Sequence, residues 1–166
     1  MLILGKNTDD VGAQLEKLTK RLLENRGYKN IATDTIGEGG NEIDVQAENP
    51  SRIPTSHSSR RLIAECKAWA TPINLPDWLK FLGKVFVEEA KVGNEVEGLF
   101  VSLSGVNGAV RGNYDSLRQR KNNVVLLESE QLTEEISKLY NLPQSAVIAA
   151  KLKHFTEQQY SSMELA

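Results

Sequence analysis

The residues GLFVSL at 98–103 carry no charge over the length of a strand. A strand that is apolar on both sides belongs inside a sheet with a layer over each face. The rest of the chain supplies such layers. Val11, Leu15, Leu18 and Leu22 recur at helical spacing, with Asp9 or Asp10 placed to cap a helix over 10–26 and Gly27 to end it. Three short strands follow at 30–36, 42–48 and 61–67, apolar or β-branched and bounded by turn chemistry. GEGGN at 37–41 makes the first turn, and 49–60, rich in Pro, Ser and Arg, reads as a long exposed hairpin loop. Leu75, Trp78, Leu79, Leu82, Val85 and Phe86 mark the apolar stripe of a second helix reaching 92. A third helix at 107–121, a strand at 123–127 and a helix at 129–140 come next. The order implies an α/β fold with a mixed central sheet flanked by helices.

With 166 residues, 40% of them hydrophobic, the chain can bury one core. The expected organisation is one domain over 1–140, then a helical extension or linker over 141–166, whose end, HFTEQQYSSMELA, loses apolar periodicity. The single cysteine, Cys66, has no partner for an internal disulfide. No stretch approaches the roughly 18 apolar residues of a membrane span, and the N-terminus lacks a basic region followed by a long apolar one. A cytoplasmic setting without membrane contact is the expectation.

A net charge of −2 argues against a free-standing nucleic-acid binder, because Lys and Arg neutralising phosphates supply most non-specific affinity. Charge is unevenly spread, however: 106–121 holds Arg111, Arg118, Arg120 and Lys121 against Asp115 alone. Arg111, Arg118 and Lys121 share a flank when the Val110, Tyr114 and Leu117 face is buried. They are the candidate nucleic-acid contacts.

Alternation along a strand puts Glu65 and Lys67 on one side and Ala64 and Cys66 on the other. In the preceding strand Asp44, Gln46 and Glu48 share one side, and Ile43, Val45 and Ala47 the other. A hairpin of these strands lets Asp44 and Glu65 converge. Two carboxylates that close repel unless a cation bridges them, and a hard oxygen-ligated ion suits them, Mg²⁺ first, with Mn²⁺ able to substitute. Lys67 would then lie beside the metal, placed to orient or help deprotonate a water and to stabilise charge on a phosphate.

GEGGNEID at 37–44 followed by IAECK at 63–67 resembles the D-x(n)-(D/E)-x-K signature of the PD-(D/E)xK nuclease superfamily and, within it, the Mrr-type restriction endonucleases. LLENRGY at 22–28 and VSLSGVNGA at 101–109 are similar to that family's first helix end and strand-to-helix junction. Ile43 stands where the family's proline precedes the first acid, and the loop at 49–60 is longer than expected. The resemblance implies a restriction-endonuclease-like fold and a metal-dependent endonuclease acting on double-stranded DNA in defence against foreign DNA. It implies Asp44, Glu65 and Lys67 as catalytic residues, with Asp44 and Glu65 holding the metal, and Glu16 as a further acid on the first helix. The low net charge and the tether-like tail suggest the effector piece of a larger assembly with a sensor domain, or a homodimer in which two sites address two strands.

Each residue has a plainer reading. Glu65 and Lys67 could be an exposed edge-strand pair, Asp44 a solvated acid, and Glu16 half of an i,i+4 pair with Lys20. Gln46 either touches the site or fills a polar slot. Cys66 is expected to be buried on the helix side rather than to act as a nucleophile, and Trp78 to lie in the core; Trp69 is open to either base stacking or packing. The alternative functions are a non-cleaving nucleic-acid-binding or interaction module of the same fold, and a structure-selective nuclease on branched DNA or RNA.

Overall fold

The structure is a computed structural model that describes residues 3, 7–36, 42–49 and 60–141. The turn at 37–41, the loop at 50–59 and the extension at 142–166 lie outside the described residues. Helix α1 (Thr8–Asn25) starts on Asn7, whose side chain accepts the Asp10 backbone N–H; the cap thus falls just before the two aspartates that the sequence offered for it. Strands β1 (Lys29–Ile36), β2 (Glu42–Asn49) and β3 (Arg60–Lys67) follow, then α2 (Leu75–Val92), β4 (Glu97–Ser102), α3 (Gly108–Arg118), β5 (Val124–Glu128) and α4 (Ser129–Leu139).

The five strands lie in the order β1-β2-β3-β4-β5. The first three pair antiparallel, and β3, β4 and β5 run parallel, which makes the mixed sheet expected. Parallel neighbours need crossovers, and α2 and α3 provide them on one face. Their side of the sheet buries Ile63, Trp78, Phe81, Val85, Phe100, Val110 and Tyr114. The other face packs α1 and α4 over Val45, Ala47, Leu62, Ala64, Cys66 and Val101. The GLFVSL run is therefore covered on both sides, as its composition required.

The buried face of α2 is rotated from the apolar stripe read in the sequence. Trp78, Phe81, Lys84, Val85 and Glu88 face inward, while Leu79 and Phe86 are 48% and 70% exposed. A lysine and a glutamate occupy the inward face because both find charged partners there, Lys84 on Glu65 and Glu88 on Arg61 and Lys91. Gly98 lets α2 lie close to the sheet: a Cβ on it would stand 2.9 Å from Val85 Cγ2 and 3.2 Å from Phe81 Cζ. No described helix is long and apolar enough to cross a membrane.

Candidate active site

The parallel strands end level with one another, Lys67 beside Ser102 and Ser102 beside Glu128. The carboxyl end of such strands is where open α/β sheets usually bind ligands. In the β2–β3 ladder Val45 stands opposite Ala64 and Gln46 opposite Ile63. The ladder stops at Val45: Ile43 packs into the core on the α2 side while Val45 and Ala47 pack toward α1, so strict alternation breaks at Asp44, which stands at the end of the pairing near Glu65. Asp44 Oδ2 accepts the Cys66 backbone N–H at 2.7 Å, which ties the acid to the strand that carries the other two residues. Glu65 is only 6% exposed, and both its oxygens are engaged. Lys67 Nζ lies 2.6 Å from Oε1, and Lys84 Nζ, from α2, lies 2.6 Å from Oε2. The reading of Glu65 and Lys67 as an exposed edge pair fails here, since β3 is the middle strand.

Each titration shift has a visible cause. Burial, then the charge on Glu65, raises the Asp44 carboxyl above its ordinary range, against the Cys66 N–H and the two lysines. Burial also opposes ionisation of Glu65, yet hydrogen bonds from Lys67 and Lys84 bring it below the ordinary range. Lys67 is held above its ordinary value: burial disfavours its charge, but Glu65 and Asp44 outweigh that. Glu16 on α1 is raised from 4.5 to about 7 by burial, then by the charges of Asp34 and Asp44 and a hydrogen bond with Asp34, with Lys67 opposing. Glu16 therefore shares the electrostatic neighbourhood of Asp44 and Lys67, and its partner is Asp34 rather than Lys20.

Two residues of this neighbourhood were not singled out in the sequence. Lys84 had a signal, because it falls on the Trp78, Phe81, Val85 and Glu88 side of its helix. Asp34 had none: it sits in β1 at φ 52°, in a ladder whose register shifts between Lys29 and Ala32, and it interacts with Glu16.

Among the described residues no group of three or more His, Cys, Asp or Glu side chains is set to hold a metal ion. A cation here would rest on the Asp44–Glu65 pair. The pair fits Mg²⁺, which is often held by one or two carboxylates together with substrate oxygens. The donors are all hard oxygens, and the charge of Glu65 acts on Asp44, second only to burial among the causes that raise its carboxyl.

The other candidates are dispersed. Gln46 fills a polar slot, accepting from Arg61 Nη2 at 2.8 Å, and Arg61 Nη1 lies 3.2 Å from Glu88 Oε2. Cys66 is buried on the α1 side against Thr19 Oγ1 at 3.4 Å, and burial pushes its thiol up, away from thiolate chemistry. Trp78 is fully buried and donates to Asn113 Oδ1 at 2.7 Å. Trp69 is 44% exposed, with Lys67 Nζ 5.6 Å from its ring centre. Of the basic trio, Arg111 is at the site end of α3 and pairs with Glu128. Arg118 lies over Tyr114 and Lys121 pairs with Glu89, both toward the opposite end of the sheet.

Comparison with known proteins bears on the fold and the family. No curated protein matches the chain. Among solved structures it is similar to the DNA modification-dependent restriction endonuclease AspBHI, with a TM-score of 0.56 and 13% identity over 89% of this chain. The chain spans about a third of that protein's length, 35%, and at such identity the likeness speaks for the fold. The Mrr_cat family model, described as restriction endonuclease, matches residues 11–136, a span that includes Glu16, Asp44, Glu65, Lys67 and Lys84. The chain thus belongs to the Mrr_cat restriction endonuclease family.

Proposed function

We propose that the chain is a Mg²⁺-dependent endonuclease that hydrolyses phosphodiester bonds of double-stranded DNA, in defence against foreign DNA. One observation carries the reading: at the end of the central strand a buried glutamate is gripped by two lysines, with Asp44 held beside it on the Cys66 amide. Asp44 and Glu65 would hold the metal. A bound Mg²⁺ supplies Lewis acidity toward a phosphate oxygen and lowers the pKa of water.

The chain's own residues divide the remaining work. Lys67 keeps its proton, so its ammonium meets the charge that grows on the phosphate. Glu16, raised to about 7, exchanges a proton near neutral pH, the range useful for taking one from water. Trp69, exposed beside Lys67, offers an apolar surface at the mouth of the site. Phosphate contacts near the site would come from Arg111, with release of Glu128, and contacts away from it from Arg118 at the far end of α3 and Lys121 beyond that helix, with release of Glu89. DNA as substrate is supported by the similar structure's title, a DNA modification-dependent restriction endonuclease, together with the restriction endonuclease family description. Mn²⁺ would replace Mg²⁺, and cutting both strands would take two copies of the chain or a larger assembly.

The test is conversion of supercoiled plasmid to nicked and linear forms by the purified chain in Mg²⁺, blocked by EDTA. Branched DNA and RNA run in parallel would reveal a structure-selective enzyme. DNA retained without cleavage in either Mg²⁺ or Mn²⁺ would make the chain a binding module.

A further inference from the structure

Lys84 comes from a helix on which neither the strand motif nor the first acid depends, yet it lies at the centre of the charge cluster. It is 8% exposed and its Nζ is 2.6 Å from Glu65 Oε2. We propose that Lys84 is a positioning residue of the nuclease site: it holds Glu65 through Oε2, so that Lys67 can leave Oε1 for the scissile phosphate. The role rests on the nuclease reading given above.

Packing does not explain a lysine at this position. Its neighbours on the inward face of α2 include Trp78, Phe81 and Val85, and an apolar side chain there would complete that core. Buried ion pairs are often no more stable than well-packed apolar replacements, because desolvation of both charges offsets their attraction. The pair is therefore better understood through what it does to Glu65.

The two lysines on Glu65 are not equivalent. The Lys84 side chain is 9% exposed and that of Lys67 21%. Lys67 also has the exposed Trp69 ring 5.6 Å from its Nζ, a second place for an ammonium to rest. Lys84 is thus the inner, permanent partner and Lys67 the outer, releasable one. Without Lys84, the buried Glu65 carboxylate would depend on Lys67 alone, and Lys67 would be tied to it when the phosphate needs the charge.

The experiment uses the intact chain and three variants, Lys84→Met, Lys84→Arg and Lys84→Gln, with plasmid cleavage, Mn²⁺ binding by calorimetry and thermal melts read on each. Lys84→Met should lose roughly 10–100-fold in kcat, the range typical of residues that orient metal ligands, with KM for DNA unchanged. It should bind Mn²⁺ at least as tightly as wild type, since a competing ammonium has gone. Lys84→Arg, which keeps the charge, should recover much of the rate. A merely structural lysine would lower Tm and the folded fraction and leave kcat per folded molecule as it was. If Lys84→Met does not fold, Lys84→Gln makes the same comparison. Wild-type cleavage by the Met or Gln variant, a loss erased by added cation, or no recovery in Lys84→Arg would overturn the role while leaving the nuclease reading intact. A wild-type chain that binds Mn²⁺ but cuts no nucleic acid would overturn both.

Discussion

The two sides of β3 are built for different purposes. Toward α1, Leu62, Ala64 and Cys66 pack with Leu15, Leu22, Val45 and Val101, and the buried Thr19 hydroxyl is satisfied locally by the Leu15 carbonyl at 2.9 Å. Toward α2, the same strand presents Arg61, Ile63, Glu65 and Lys67, and the helix answers with Lys84 and Glu88. Burial on the first side gains roughly 25 cal/mol per Å² of apolar surface. On the second side desolvation of each charge offsets much of what its partner returns. Stability should therefore reside on the α1 side and chemistry on the α2 side, and substitutions on either side can break that division.

The largest effect is expected from Asp44→Ala, Glu65→Ala and Lys67→Ala. Each should lower plasmid cleavage at least about a hundredfold while circular dichroism shows the fold retained. Near wild-type cutting by Lys67→Ala would remove the lysine from the chemistry. On the opposite side, Leu15→Ala should cost about 2–5 kcal/mol of stability in denaturant melts, with kcat per folded molecule unchanged. A slowed folded enzyme would show that the α1 side also shapes the site.

Glu16 lies between the two sides and should show itself in pH dependence. Its folded pKa, about 7, is above its ordinary 4.5, so the folded protein holds a proton that the unfolded chain gives up. The associated stability is present below pH 4.5 and is lost as pH rises through about 7. Glu16→Gln should flatten that part of the stability profile in EDTA, and an unchanged profile would place Glu16 in solvent. The smallest effect belongs to Cys66→Ser, which should keep its cleavage rate and lose about 1 kcal/mol for burying a hydroxyl. Lost cutting in a folded Cys66→Ser protein would revive thiol chemistry.

Most elements were legible in the sequence to within a few residues, because apolar periodicity and turn residues record burial and backbone geometry directly. Pairing of the Asp44 and Glu65 strands was legible too, but the alternation that put Ile43 with Val45 and Ala47 breaks at Asp44, where the ladder ends and Ile43 turns to the α2 side. The inward face of α2 was misjudged for a physical reason. Hydrophobicity assigns faces by transfer free energy, whereas Lys84 and Glu88 are drawn inward by partners on β3, leaving Leu79 and Phe86 outside. The dispersal of Arg111, Arg118 and Lys121 was hidden as well: a shared flank says nothing about whether both ends of a helix lie near one site.

The central claim is that Asp44 and Glu65 form one cation site, and thermal melts of wild type and Asp44→Asn in EDTA and in millimolar Mg²⁺ test it most directly. Asparagine can still accept the Cys66 N–H, so the substitution removes charge with little change of shape. Mg²⁺ should raise the wild-type Tm, because a ligand bound only by the folded chain stabilises it. Asp44→Asn should be as stable as wild type or more so in EDTA, where burial and Glu65 disfavour the Asp44 charge, and should gain less from Mg²⁺. A variant that is less stable without metal and responds to Mg²⁺ as wild type does would make Asp44 a structural residue and place the active site elsewhere.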